Sequence, residues 1–208
     1  TRGIQTATAL DAPETTVQFM INIGSAHLGR GHYQEALAIG IESLEIARKI
    51  NNEQLIAGRL ISIGTITGNM GDAQKGKALL LEGISIAAQI GDKASLLVAY
   101  NNLSNVELRV KNYEAAADLL LEGIRLARDM GQKERLSLLL INYGNVNSLL
   151  ENIELAENAL AEGLQIALEL GMPWMVSLAH CAWADHHRRA GRLDVASQAA
   201  MEALSAGE

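Results

Sequence analysis

The chain has 208 residues, 49% of them apolar, and a formal net charge of −7. That acidic balance, with no long Lys/Arg run, argues against direct nucleic-acid contact, which needs a basic stripe to displace counterions from phosphates. The single cysteine, Cys181, excludes an internal disulfide framework and suits a reducing compartment. No apolar run approaches the roughly 20 residues that span a bilayer, and no secretory signal opens the chain, so a cytoplasmic location without a membrane partner is expected.

Apolar content dominated by Leu, Ile and Ala, with few aromatics, favours helix over sheet. In chain order, residues 1–10 read as the latter half of a helix. From Pro13 the pattern predicts about ten helices of roughly 15–18 residues. They alternate with turns at "GRGHYQ", "KINNEQ", "GNMGDAQ", "QIGDKA", "RVKNYE", "DMGQKE", "LENIE", "ELGMPW" and "RAGRLD". Gly91, Gly131 and Gly171 fit the position just past a helix end, and Pro173, like Pro13 at the same phase, fits a first helical turn. This gives one array over residues 1–208, with the end of a truncated repeat at 1–12 and helical pairs at 13–50, 51–90, 91–130, 131–170 and 171–208. A chain that begins with Thr inside a repeat, and closes without a polar capping helix, is expected to be excised from a longer protein.

The register is forty residues, without insertion or deletion. Small residues stand in columns: Ser43, Gly83, Gly123, Gly163, Ala203; Ala47, Ala87, Ala127, Ala167; Gly24, Gly64, Ser104, Gly144, Ala184; and Ala36, Gly76, Ala116, Ala156, Ala196. Gly3 and Ala7 fall in the first two of these columns. Large apolar columns run beside them, such as Ile23, Ile63, Leu103, Tyr143, Trp183 and Leu44, Ile84, Ile124, Leu164, Leu204. A glycine inside a helix costs about 1 kcal/mol relative to alanine. Its recurrence is explained if two helix backbones meet closely there and large neighbours fill the adjacent grooves.

The spacing resembles the tetratricopeptide repeat. In "YNNLSNVELRVKNYEAAADLLLEGIRLAR" (100–128) the matching positions are Leu103-Ser104, Tyr113 and Ala116; other units offer Tyr143-Gly144 with Ala156, and Ile23-Gly24 with Tyr33 and Ala36. The resemblance implies an all-α fold, a right-handed superhelical solenoid of helix–turn–helix repeats. The usual unit of that family is 34 residues, so a forty-residue unit means longer helices. That longer form is similar to the arrays of bacterial signal-transduction ATPases, including MalT-like and AfsR-like regulators, of peptide-sensing bacterial regulators and of kinesin light chains.

The resemblance also implies that the first helix of each pair lines a concave groove. The matching lines are Gln18, Asn22, Ser25, Gly29; Gly58, Ser62, Thr65, Asn69; Val98, Asn102, Asn105, Arg109; Leu138, Asn142, Asn145, Leu149; and Leu178, Ala182, Asp185, Arg189. An asparagine amide can pair with both N–H and C=O of an extended peptide, and peptide-binding members of the family use asparagines this way. Asn22, Asn102, Asn105, Asn142 and Asn145 are therefore the candidate partner contacts, with Val98 and Leu138 as an apolar strip and Arg109 and Asp185 as charged contacts. The same asparagines have a second reading as links between adjacent helices, and the apolar strip has one as packing against a neighbouring helix.

Other features carry weaker signals. "HCAWADHHRR" (180–189) gathers His180, Cys181, Asp185, His186 and His187, but no HExxH or paired CxxC accompanies them, so a helix surface or interface is favoured over a metal site. His187 shares its column with His27, Thr67, Glu107 and Asn147, which reads as a position open to varied polar groups. Trp183 belongs to an apolar core column; Trp174, in a first helical turn, is either an exposed interface anchor or partly buried on the preceding pair. Glu42, Glu82, Glu122, Glu162 and Glu202 form an unbroken column, either solvated or bonded helix to helix. No phosphate loop, dinucleotide fingerprint or GxSxG elbow occurs. The expected function is thus a protein- or peptide-interaction module of a regulatory or signalling protein, including transcription regulation, without enzyme activity, metal or cofactor. Self-association as an assembly scaffold is the alternative, and an enzyme whose catalytic groups are scattered across repeats is a remote one.

Overall fold

The computed structural model describes residues 12–206, which form ten α-helices and no strand. They are α1 (Pro13–Gly29), α2 (Tyr33–Lys49), α3 (Glu53–Asn69), α4 (Ala73–Gln89), α5 (Lys93–Arg109), α6 (Tyr113–Asp129), α7 (Lys133–Leu149), α8 (Ile153–Leu170), α9 (Pro173–Arg189) and α10 (Leu193–Ala206). The all-α, helix–turn–helix architecture expected from the repeat is the one observed. The placement of Gly3 and Ala7 lies outside the described residues. The chain divides into two compact units, Thr1–Val106 and Glu107–Glu208, with the division inside α5.

Turn chemistry sets the helix length. Nine residues at intervals of twenty, at 31, 51, 71, 91, 111, 131, 151, 171 and 191, have positive φ. Each sits where a helix ends, and the next backbone N–H reaches back five residues, as in His32 to His27 O (2.9 Å), Asp92 to Ala87 O (2.8 Å) and Asn152 to Asn147 O (2.9 Å). This left-handed closure satisfies carbonyls that the helix leaves open. Gly91, Gly131 and Gly171 occupy it as expected, but Asn51, Lys111 and Glu151 adopt it without being glycine. A left-handed residue with a Cβ is strained by roughly 1–2 kcal/mol. Glu151→Gly is accordingly expected to raise stability by about 1 kcal/mol, read as a higher urea midpoint; an unchanged midpoint would show that Glu151, at φ 61°, carries no strain. The next helix then begins on a cap: Asn52 accepts from Leu55 N (3.0 Å) and Asp72 from Lys75 N (3.0 Å), while Pro13 and Pro173 open α1 and α9.

The second helix of each pair buries a narrow stripe. In the first unit the stripe is Ala36, Gly40, Ser43, Ala47 on α2 and Gly76, Leu80, Gly83, Ala87 on α4. In the second it is Ala116, Leu120, Gly123, Ala127 on α6 and Ala156, Leu160, Gly163, Ala167 on α8. Steps of four, three and four keep each stripe on one face. The first helices are enclosed more fully: α3 buries Ala57, Leu60, Ile61, Ile63, Gly64, Ile66, Thr67 and Gly68. The small columns are the meeting points. A Cβ on Gly83 would lie 2.7 Å from Ile61 Cγ1 and 3.1 Å from Ala57 O; one on Gly163 would lie 3.0 Å from Ile141 Cγ1 and 3.2 Å from Ser137 O. The second contact is the first, moved on by eighty residues.

Three members of the glutamate column, Glu82, Glu162 and Glu202, are bonded helix to helix. Arg48 reaches Glu82 at 3.4 Å and Arg128 reaches Glu162 at 2.7 Å, the same step between successive second helices. His180 Nδ1 lies 3.1 Å from Glu202. With side chains about half exposed, the two arginine pairs contribute no more than about 1 kcal/mol each.

Candidate functional site

In the first unit, a cleft of about 300 Å³ opens along α3, lined by Leu28, Gly58, Arg59, Ile61, Ser62, Thr65, Ile66, Asn69, Val98 and Asn102. The whole predicted α3 line, Gly58, Ser62, Thr65 and Asn69, is therefore in one cleft with the first two members of the α5 line. Steps of four and three bring these residues to the face of α3 that the neighbouring helices leave partly open. Leu28, Ile61, Ile66 and Val98 make its apolar walls. Thr65 Oγ1 donates to Ile61 O (2.8 Å), so that hydroxyl is committed to its own helix. The Asn102 amide has no hydrogen bond to a described residue. Asn22, Gln18, Ser25 and Asn105 are exposed but do not line this cleft.

In the second unit, Leu138, Asn142, Asn145 and Leu149 are half-buried on α7, and Asn142 is engaged in a contact of its own. A cleft of about 480 Å³ is lined by Ser148, Leu149, Glu151, Ile153, His186, Arg189 and Ala190. It takes the last member of the α7 and α9 lines but neither asparagine. Arg109 is exposed at the end of α5.

Asp185 is placed differently from the asparagines. It lines a cleft between α9 and α10, with Cys181, Arg188, Leu193 and Leu204. Its carboxylate pairs with Arg188 (2.5 Å) and Arg189 (3.1 Å), one turn on along the same helix. The Arg188 hydrogen bond, partly opposed by burial, holds its pKa below the usual carboxylate value.

The "HCAWADHHRR" cluster resolves into a packing network. Among the described residues no group of three or more His, Cys, Asp or Glu is arranged to hold a metal ion. His186 is 2% exposed. Its Nδ1 lies 2.7 Å from Ser148 Oγ, and Arg192 Nη2 lies 2.9 Å from its Nε2 and 2.7 Å from Glu157 Oε1. Trp183, expected in the core, is half-buried and stacks on His187 with ring centroids 5.2 Å apart. Trp174 is exposed, at 51% of its surface.

The His187 column is not the permissive surface position that its variety suggests. Thr67, Glu107 and Asn147 are buried, and the column's carbonyls receive the N–H that closes each turn. Two of its side chains are also held by the turn: Asn112 Nδ2 donates to Glu107 Oε2 (2.9 Å) and Asn152 Nδ2 to Asn147 Oδ1 (3.1 Å).

Two residues that matter in these clefts were not singled out by the repeat pattern. Arg59 interrupts a column otherwise made of Phe19, Ala99, Leu139 and Ala179, and His186 one made of Ala26, Ile66, Val106 and Val146.

Among solved structures, the chain is similar to BtubC (BKLC) from P. vanneervenii, with 16% identity over 99% of this chain and 87% of that one and a TM-score of 0.85. It is similar to a signal transduction ATPase with numerous domains that carries a tetratricopeptide repeat sensor, from Pyrococcus horikoshii (18% identity, 94% of this chain, 29% of that one, TM-score 0.80). A third is a Rap protein complexed with Competence and Sporulation Factor (13% identity, 93% and 55%, TM-score 0.79). No curated protein matches the chain. Residues 16–54 and 96–130 match the model of the tetratricopeptide repeat, and the fold of the chain is that of tetratricopeptide-type helical arrays.

Proposed function

We propose that this chain is a protein- or peptide-binding module of a cytoplasmic regulatory protein, of the kind that senses partners in bacterial signal-transduction ATPases. The observation that carries the reading is the α3 cleft of the first unit: apolar walls, with Asn102, whose amide has no hydrogen bond to a described residue, in the lining. An extended peptide has unsatisfied N–H and C=O groups along its length, and an asparagine amide supplies both complements. Val98 and Leu28 would take its apolar side chains. In the second unit Asn142 and Asn145 stand at the corresponding positions of α7. The Rap and ATPase-sensor likenesses support a role in recognition, since the first of those proteins is seen complexed with Competence and Sporulation Factor and the second has a tetratricopeptide repeat sensor.

The test uses peptides selected from a random display library against the whole chain. Asn102→Ala is expected to weaken the selected peptides about tenfold, the loss of one or two hydrogen bonds to a peptide backbone. Asn142→Ala reads the second unit in the same way, and circular dichroism checks that helicity is retained. Selected peptides that bind Asn102→Ala and Asn142→Ala as tightly as the parent would remove the asparagines from the binding surface.

A further inference from the structure

In both units the first helix of one pair lies over the face of the pair before it. In the first unit, Arg59, Ser62 and Ile66 of α3 line an opening of about 50 Å³ together with Ile21, Gly24 and Gly40. In the second, Val176 and Ala179 of α9 share a buried cluster with Ile141 and Leu160 of the preceding pair. Cys181, Ala184 and Ala200 fall in the columns of Ile21, Gly24 and Gly40, and they line a groove of about 740 Å³ between α9 and α10. Leu204, also in that lining, is 74% exposed, although Leu44 and Ile124 of its column are 7% and 3% exposed.

The other end of the array carries the complementary surface. The residues of α1 in phase with Arg59, Ser62 and Ile66 are Phe19, Asn22 and Ala26. All three are exposed, Phe19 by 40% of its surface. Further along the chain the same positions are covered: Ala99, Leu139 and Ala179 are buried, as are Ile66, Val106 and Val146. Side-chain sizes match as well. Cys181 stands in a column that holds Ile21, Ile61, Asn101 and Ile141, and Ala200 follows Leu80, Leu120 and Leu160. The groove is therefore wider than the contacts inside the chain. Phe19, the one phenylalanine of the chain, is the bulkiest apolar member of its own column. A large side chain on one surface and small ones on the other are what close packing requires.

We propose that the α9–α10 groove of one copy takes α1 of a second copy, with Phe19 over Cys181 and Ala200. The forty-residue register then runs on from chain to chain, because α1 has the phase of the first helix that would follow α10. Leu204 is covered in that contact as Leu44 and Ile124 are within the chain. Residues 1–10 of the second copy share the phase of 201–208, so they give way to α10 of the first. The two surfaces differ, which makes the contact heterologous: each copy keeps one free face, and association is not limited to two. The α3 cleft plays no part in it, so the peptide-binding reading stands or falls separately.

The experiment is sedimentation velocity of the whole chain across concentration. The sedimentation coefficient is expected to rise between about 10 μM and about 1 mM, the range in which a small interface associates. Phe19→Arg and Leu204→Arg change exposed residues on opposite sides of the contact, and each is expected to sediment as a monomer throughout. Their equimolar mixture is expected to form a dimer and nothing larger, because one variant keeps a sound groove and the other a sound α1. Ala26→Glu, at a second exposed position of α1, is expected to behave as Phe19→Arg does. Circular dichroism checks that all three variants keep the helicity of the parent. A parent that stays monomeric over the whole range, a Phe19→Arg or Ala26→Glu variant that still associates, or a mixture no heavier than its parts would each overturn the proposal. Association that survives both α1 changes but not Leu204→Arg would mean that groove meets groove.

Discussion

Gly76→Ala is expected to destabilise the first unit by about 2–3 kcal/mol, visible as a lower urea midpoint with an unchanged slope. A Cβ at Gly76 would lie 2.7 Å from Gly68 N, 2.8 Å from Gly68 Cα and 2.8 Å from Gly64 O. All three are backbone atoms of α3, so no side chain can swing aside, and the helices themselves must separate. The opposite change is just as crowded: a Cβ on Gly64 would lie 2.9 Å from Gly76 O and 2.9 Å from Leu80 N. Three glycines therefore bring α3 and α4 together more closely than a chain with Cβ atoms allows. The equivalent of Gly76 in the second unit is Ala156, and there α7 and α8 pack with the alanine in place. The fold thus accommodates an alanine at this position, and the cost in Gly76→Ala is lost contact along the α3–α4 seam rather than loss of the fold. Helix propensity works against the effect, since alanine gains about 1 kcal/mol over glycine in a helix interior. Gly58→Ala isolates that gain, because a Cβ there meets nothing within 4 Å. It is expected to stabilise by up to about 1 kcal/mol. If the two variants shift stability in the same direction, close backbone approach is not the reason for Gly76.

The repeat made the helices, turns and small columns legible because each position is sampled up to five times. Gly83 and Gly163 could be placed at a helix contact from their shared phase with Ala87 and Ala167, and the contacts with α3 and α7 are where that phase puts them. The three non-glycine residues at positive φ were hidden by the same logic: Asn51, Lys111 and Glu151 resemble ordinary turn residues until the backbone is seen. Candidate site residues were less legible. A line drawn along a helix fixes azimuth, and Gly58, Ser62, Thr65 and Asn69, which share one, line a single cleft. It does not report what neighbouring side chains do, so it cannot show that Asp185 is already claimed by Arg188 and Arg189, or that Asn142 has a contact of its own. Arg59 and His186 share a different signal. Each is a polar residue in a column that is otherwise apolar, and such a departure marks either a buried network or a site awaiting a ligand. The sequence cannot separate those two outcomes, because the difference is whether hydrogen-bond partners are present.

His186 is the case with partners present, and His186→Ala is expected to cost the second unit about 3 kcal/mol. The ring bonds to Ser148 on α7 and to Arg192 in the turn before α10, and Arg192 carries the link from α9 on to Glu157 on α8. Proton positions follow from the pairings. Ser148 Oγ donates to Gly144 O at 2.9 Å, so across the 2.7 Å contact it must accept from His186 Nδ1–H. Nε2 then carries no proton in the neutral ring and accepts from Arg192 at 2.9 Å, while Arg192 also donates to Glu157 at 2.7 Å. That second bond is the main reason the Glu157 carboxyl sits below its ordinary pKa. Every donor in the chain from Gly144 to Glu157 is matched, which is how a packed network differs from a catalytic Ser–His pair: the serine proton is already given to a helix carbonyl. Ser148→Ala is therefore expected to cost about 2 kcal/mol, because it leaves the His186 Nδ1–H buried without an acceptor. In the His186→Ala background the same substitution should cost close to nothing, so the double variant should fall short of the sum by about 2 kcal/mol. Strict additivity would mean that the serine and the histidine stabilise the second unit independently, and that packing alone, not the shared proton, fixes His186 in an apolar column.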